Sequence, residues 1–128
     1  MSMINTHLKI NKSLCGTPIE LGDGYAKVKL QATEEMVADE KGLVHGGFIF
    51  GLADYASMLA VNHPNVVLAK AEVKFLKPVK LGDIMTSHAE VKEVDKNKYK
   101  VEAFVNVGDV KVFEGIFLCV VTSKHVLE

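Results

Sequence analysis

The stretch Gly46-Gly47-Phe48-Ile49-Phe50-Gly51-Leu52-Ala53-Asp54-Tyr55-Ala56-Ser57-Met58-Leu59-Ala60-Val61 decides how this chain folds. It is apolar or small throughout except for one carboxylate, Asp54. Such a run is too long for an ordinary strand and suits a helix of about four turns. Apolar residues fall on every side, which predicts a helix buried all round. Asn62-His63-Pro64-Asn65 ends it, because proline cannot continue a helix and pushes the residue before it out of the helical region.

Outward from this helix the pattern changes to strands. Upstream, Gly22-Asp23-Gly24 reads as a turn, and Ala26, Val28 and Leu30 then alternate with Tyr25, Lys27 and Lys29. Thr33 to Gly42 is polar and acidic, a loop or loose helical turn, and residues 1–16 form a short helix or an arm. Downstream, Val66 to Val79 predicts one long strand. Lys80-Leu81-Gly82-Asp83, Asp95-Lys96-Asn97-Lys98 and Gly108-Asp109 predict the turns between it and three more strands. The last strand is expected over Val110 to Thr122. Short turns between consecutive strands predict an antiparallel meander. One sheet wraps about half of a central helix. The remaining cover must come from the N-terminal segment or from a second copy, and a homodimer at least is expected.

The chain has 128 residues, 48% of them hydrophobic and 24% charged, enough for a real core in one domain spanning 1–128. Its net charge of −1 argues against a nucleic-acid binder. No apolar run has the length of a membrane span or a secretory signal, so a cytoplasmic location is expected, with no membrane partner. Cys15 and Cys119 have no metal or redox spacing, and Cys119 lies in an apolar run where a small buried hydrophobe is expected. His7, His63, His88 and His125 form no metal-ligand spacing, and no metal site is expected.

The chemistry concentrates around the start of the long helix. A helix start leaves backbone N–H groups unpaired and carries partial positive charge. Gly46 and Gly47 remove side-chain bulk there, so a carbonyl oxygen can approach as in an oxyanion hole; the bland alternative is a tight turn into a helix. Gly47, Gly51, Asp54 and Met58 are spaced by three and four and share one face. An ionised Asp54 there needs a polar cleft, a buried hydrogen-bond network, or a role as base or nucleophile. His45 precedes the glycines and is suited to fixing the loop. Lys70, Lys74, Lys77 and Lys80 form a basic run, with Lys77 expected on the face opposite Lys70 and Lys74. They read either as a solvated edge that resists aggregation or as a phosphate-binding rim.

His45-Gly46-Gly47 followed by Leu52-Ala53-Asp54 resembles the motif of hotdog-fold acyl-CoA thioesterases of the phenylacetic-acid-pathway type. Phe75-Leu76-Lys77-Pro78-Val79-Lys80-Leu81-Gly82-Asp83 also resembles that family, and the likeness runs from about Gly24 to Thr122. It implies an α+β fold with an antiparallel sheet wrapped around one long central helix, in homodimers or dimers of dimers. It implies that Gly47 polarises a thioester carbonyl, that Asp54 acts in the partner's site, and that His45 places the loop. Gly46, Asp39, Lys77 and Lys80 would then contact an acyl-CoA substrate, with no further cofactor. Family members often carry Asn six residues before the His; here that position is Asp39, which when ionised cannot donate a hydrogen bond. A second charge at Asp39 would raise the Asp54 pKa if the two are close. The chain is also similar to the acyl-CoA-sensing domain of bacterial fatty-acid-synthesis repressors. That likeness implies the alternative of a non-catalytic acyl-CoA-binding sensor or regulator.

Overall fold

The computed structural model describes residues 3–128. A short helix α1 (Lys12–Cys15) leads into strands β1 (Thr17–Gly22) and β2 (Tyr25–Gln31). The long helix α2 (Gly46–Val61) follows, then β3 (Val66–Phe75), β4 (Ile84–Asp95), β5 (Lys98–Val107) and β6 (Val110–Val121). Helix α2 has the bounds read from the sequence. Its C-cap is Asn62, in the left-handed region at φ 54°, ahead of Pro64.

The strands form a single six-stranded antiparallel sheet in the order β1-β2-β4-β5-β6-β3. Alternation explains which face each strand buries. Ala26, Val28 and Leu30 of β2, Met85, Ser87 and Ala89 of β4, and Val101, Ala103 and Val105 of β5 all point inward and are buried. They pack around Leu52, Tyr55, Ala56 and Leu59 of α2, with Phe113 and Phe117 closing the core from β6. This is the hotdog architecture.

The expected meander holds for β4-β5-β6 and fails for β3. Strand β3 pairs with β6 at the far end of the sheet, while β4 pairs with β2. The connection over residues 76–83 explains this. It is too long for a hairpin turn and instead crosses the end of the sheet. The same segment corrects the expected length of the third strand, which ends at Phe75 and not at Val79. After Phe75 the N–H groups of Leu76 and Lys77 both donate to the Val112 carbonyl, at 2.8 and 3.3 Å, and Pro78 has no N–H to continue a ladder. Lys77 therefore lies outside the strand, and its expected alternation with Lys70 and Lys74 does not apply. Strand β1 was not visible in the sequence pattern; it is kinked by a register shift between Pro18 and Glu20.

Much of the remaining cover for α2 comes from the N-terminal arm. Ile4, Ile10 and Leu14 pack on the core, and the arm is tied to the end of α2 by two bonds. The Asn5 N–H donates to Asn62 Oδ1 at 2.8 Å, and Asn62 Nδ2 donates to the Met3 carbonyl at 2.9 Å. The helix is not buried all round, however. Gly47 is exposed, and Gly51 and Asp54 are half-buried, so one stripe of α2 stays open beside β3.

Candidate functional site

The loop that delivers α2 is organised by Asp39. Its Oδ1 accepts the Lys41 N–H at 2.9 Å and the Leu43 N–H at 3.1 Å. The Ala38 N–H closes the same loop on the Leu43 carbonyl at 2.7 Å, and Gly42 turns it at φ +85°. Val44 then donates to the Val79 carbonyl at 2.8 Å and His45 to the Met36 carbonyl at 2.9 Å. These bonds fix where the helix begins. Asp39 serves as an acceptor here, a task its carboxylate performs as well as an amide oxygen would.

His45 is the N-cap of α2, but its side chain makes no capping bond. Its ring lies against Gly47 and meets the Phe48 ring edge-on, with centroids 6.2 Å apart. The Phe48 N–H turns back onto the His45 carbonyl at 3.1 Å, and among the described residues the Gly46 and Gly47 N–H groups are left to other acceptors. Gly46 lies under the Phe75 ring, where a Cβ would come within 3.1 Å of Cε1. Gly46, Phe75 and Lys77, with Val44, Ile49 and Val79, line a depression of about 320 Å³. The Lys80 backbone N–H donates to Asp83 Oδ2 at 2.9 Å, and its ammonium is 3.9 Å from Asp83 Oδ1. Lys80 therefore belongs to the turn, whereas Lys77 joins the depression at the helix start.

Asp54 lies in a different depression, of about 370 Å³, lined also by Thr6, His7, Met58, Val66, Leu68 and His125. Its Oδ1 is buried without a hydrogen-bond partner among the described residues. Burial pushes its pKa up to about 6. That shift has no contribution from Asp39, so the expected repulsion between the two carboxylates is not what raises it. Thr6 and His7 had no role in the sequence reading, because an irregular arm carries no periodic signal. Among the described residues no cluster of His, Cys, Asp and Glu is placed to hold a metal ion, and no helix is long and apolar enough to cross a membrane.

Within one chain, then, the open helix start and the buried acid occupy separate depressions. Strand β3 runs past both. Its first residues wall the Asp54 cleft and its last, Phe75, walls the depression at Gly46. Among the described residues β3 pairs only with β6, which leaves its other edge free.

A hotdog sheet, a glycine helix start and a single acid inside the helix define the class of protein to which this chain is related. The family described as the thioesterase superfamily matches residues 41–113, more than half of the chain, and the chain belongs to that family. Among solved structures, it is similar to the uncharacterized protein PH1136 from Pyrococcus horikoshii, 52% identical with a TM-score of 0.98, covering 99% of this chain and 98% of that one. It is also similar to the PaaI protein of the phenylacetic acid degradation operon of E. coli, 26% identical with a TM-score of 0.80, covering 89% and 84%. Two curated relatives are longer. The methylthioribose-1-phosphate isomerase of Aquifex aeolicus is 60% identical over 91% of this chain, which spans 26% of that protein. The transcription factor FapR of Thermoanaerobacter sp. is 31% identical over 86% of this chain, which spans 54% of that protein.

Proposed function

We propose that this chain is an acyl-CoA thioesterase that uses water to split an acyl-CoA into a carboxylic acid and free CoA. The observation that carries this reading is Asp54: a carboxyl with one buried, unpartnered oxygen, in a cleft, on the same helix face as the exposed Gly47. A group with a pKa near 6 is a competent base at neutral pH.

The free edge of β3 supports a homodimer in which each site is shared. If two β3 edges pair antiparallel, the Phe75 end of one strand lies beside the Val66 end of the other. The helix start of one protomer then adjoins the Asp54 cleft of its partner. The thioester carbonyl accepts the Gly47 N–H, which stabilises negative charge as it develops on oxygen. Asp54 takes a proton from water while the water oxygen bonds to the carbonyl carbon. Collapse of the tetrahedral intermediate breaks the C–S bond, and the CoA thiolate leaves and is protonated. Lys77, and more distantly Lys80, supply positive charge for the CoA phosphates. CoA enters as part of the substrate.

The relatives bear on this reading in different ways. The family match favours a thioesterase-type function. The isomerase corresponds to this chain over only a quarter of its length, and we read that quarter as a hotdog unit attached to a separate isomerase. The likeness to FapR favours a second reading, an acyl-CoA-binding regulator without turnover.

The test is hydrolysis of short, long and aromatic acyl-CoAs by the purified chain, by its Asp54→Asn variant, and in parallel with calorimetry. Turnover that falls with Asp54→Asn supports the thioesterase. Micromolar binding without turnover supports the regulator.

A further inference from the structure

The N-terminal arm is built backwards for a segment that merely covers a core. Between Ile4 and Ile10 the chain bends so that Leu8 is 74% exposed while Thr6 is 4% exposed and His7 is half-buried. A leucine faces solvent and two polar side chains face inward, the reverse of what burial favours. The bend holds His7 in the left-handed region at φ 54°, a conformation that costs a non-glycine residue energy and persists only where its surroundings fix it. The turn closes with the Ile10 N–H on the His7 carbonyl at 3.2 Å. What this arrangement delivers is an oriented imidazole. Thr6 Oγ1 and His7 Nδ1 are hydrogen-bonded at 2.7 Å, and the ring packs near Tyr55 with centroids 6.3 Å apart. Both Thr6 and His7 wall the depression that contains Asp54. The arm is also anchored, through Asn5 and Asn62, to the helix that carries Asp54.

From this geometry we infer that His7 is a positioning residue for Asp54: the arm holds its imidazole, bonded to Thr6, in the wall of the depression that contains Asp54, where it orients the Asp54 carboxyl and the water it acts on. This rests on the thioesterase reading for its catalytic consequence but not for the pairing itself. The other titratable groups around Asp54 are Cys15 of α1, Cys119 of β6 and His125 near the C-terminus. Both thiols are pushed up chiefly by burial, Cys119 to about 12, and stay protonated at neutral pH. Beside them His7 brings an imidazole, the side chain whose charge changes near neutrality, into the same depression. Burial lowers the His7 pKa and raises that of Asp54.

The experiment is a ring-proton NMR titration of the histidines in the full chain, in wild type and Asp54→Asn, joined to kinetics of His7→Gln, Asp54→Asn and the double variant. His88, stacked on Phe104 at 4.6 Å on the outer sheet face, is the internal control for an intact fold. The expected result is a His7 midpoint shifted by about half a pH unit or more in Asp54→Asn, with His88 unmoved. In kinetics, His7→Gln lowers kcat roughly tenfold with KM within about twofold, and has no further effect once Asp54 is Asn. A His7 midpoint that ignores Asp54→Asn overturns the pairing. So does a His7→Gln loss that persists in full in the double variant. If no acyl-CoA is hydrolysed but the His7 midpoint still moves, the pairing stands and the thioesterase reading falls.

Discussion

A Cβ built on Gly47 would stand 3.1 Å from His45 Cδ2 and 3.2 Å from its Nε2, so the imidazole rests directly on the second residue of α2. Gly47→Ala therefore cannot be accommodated without moving His45. The alanine favours the helix by about 1 kcal/mol relative to glycine, so the variant folds. Its methyl group and the displaced ring nevertheless crowd the N–H groups of the helix start. Turnover should fall by roughly tenfold to a hundredfold, as expected when a reacting carbonyl is misplaced by a fraction of an ångström to an ångström. Steady-state kinetics with a melting curve on the same sample checks both halves.

Gly51 behaves differently. A Cβ there meets nothing within 4 Å in the protomer. Gly51→Ala should stabilise an isolated protomer by about 0.5–1 kcal/mol. If the open stripe of α2 instead faces a second copy, the methyl group intrudes on that contact and the dimer weakens. Sedimentation and melting at two protein concentrations separate the outcomes: a higher Tm with unchanged assembly, or a concentration-dependent loss.

Asp54 makes stability depend on pH in a direction opposite to that of a salt-bridged carboxylate. Its folded pKa, about 6, lies above its ordinary value because burial disfavours the charge. Its favourable contribution is complete below the ordinary carboxylate range and is lost as pH rises through about 6. A rise of roughly two units corresponds to about 3 kcal/mol. Asp54→Asn should thus match wild type in stability near pH 4 and exceed it by up to about 3 kcal/mol at pH 8. Catalysis moves the other way: hydrolysis should rise with pH through about 6 and fall by a hundredfold or more in the variant. Denaturant titrations at the two pH values, with a pH–rate profile, test the pair.

The parts of the molecule legible in the sequence are those with a strong local signal. Gly46–Val61 is unbroken by charge except at Asp54 and ends at Asn62 and Pro64, so its bounds follow from composition. Strands β4 and β5 alternate over residues 85–89 and 101–105, and β4, β5 and β6 are joined by two-residue turns. Strand β1 was hidden because Pro18 and its register shift break the alternation and Ile19 faces solvent. The position of β3 was misread because strand order in a sheet is set by long-range pairing, which adjacency along the chain does not report. At the candidate site, the residues at the helix start and Asp54 were legible as a motif. The family resemblance implied that Asp54 serves a different site from the Gly47 of its own chain, whereas the inward turn of Thr6 and His7 was not legible, because it depends on one left-handed residue.

Asp39 tests whether its carboxylate matters as a charge or as an acceptor. Its Oδ1 holds the Lys41 and Leu43 N–H groups, and either an aspartate or an asparagine oxygen can do so. Asp39→Asn should leave stability within about 0.5 kcal/mol of wild type. Asp39→Ala removes both bonds and should cost about 1 kcal/mol, with faster amide exchange at Leu43 and a looser approach to His45. If Asp39→Asn raises turnover while stability is unchanged, the amide makes a contact with substrate that the carboxylate does not.

Lys77 and Lys80 differ in what they are free to do. The Lys80 ammonium is 3.9 Å from Asp83, while Lys77 joins the depression beside Gly46. Lys77→Ala should therefore raise KM for an acyl-CoA several-fold and leave kcat nearly unchanged, the pattern of lost uniform binding. Lys80→Ala should have a smaller effect on KM and a slight effect on the turn. A phosphate contact also weakens with ionic strength, since the Debye length falls from about 10 Å at 0.1 M to about 3 Å at 1 M. Wild-type KM should rise with added salt, and that rise should be blunted in Lys77→Ala. A thioester of pantetheine, which lacks the nucleotide and its phosphates, should show neither the Lys77 effect nor the salt dependence. Measuring KM for both thioesters at two salt concentrations decides whether Lys77 meets a phosphate; equal losses on both substrates would place its role in shaping the depression instead.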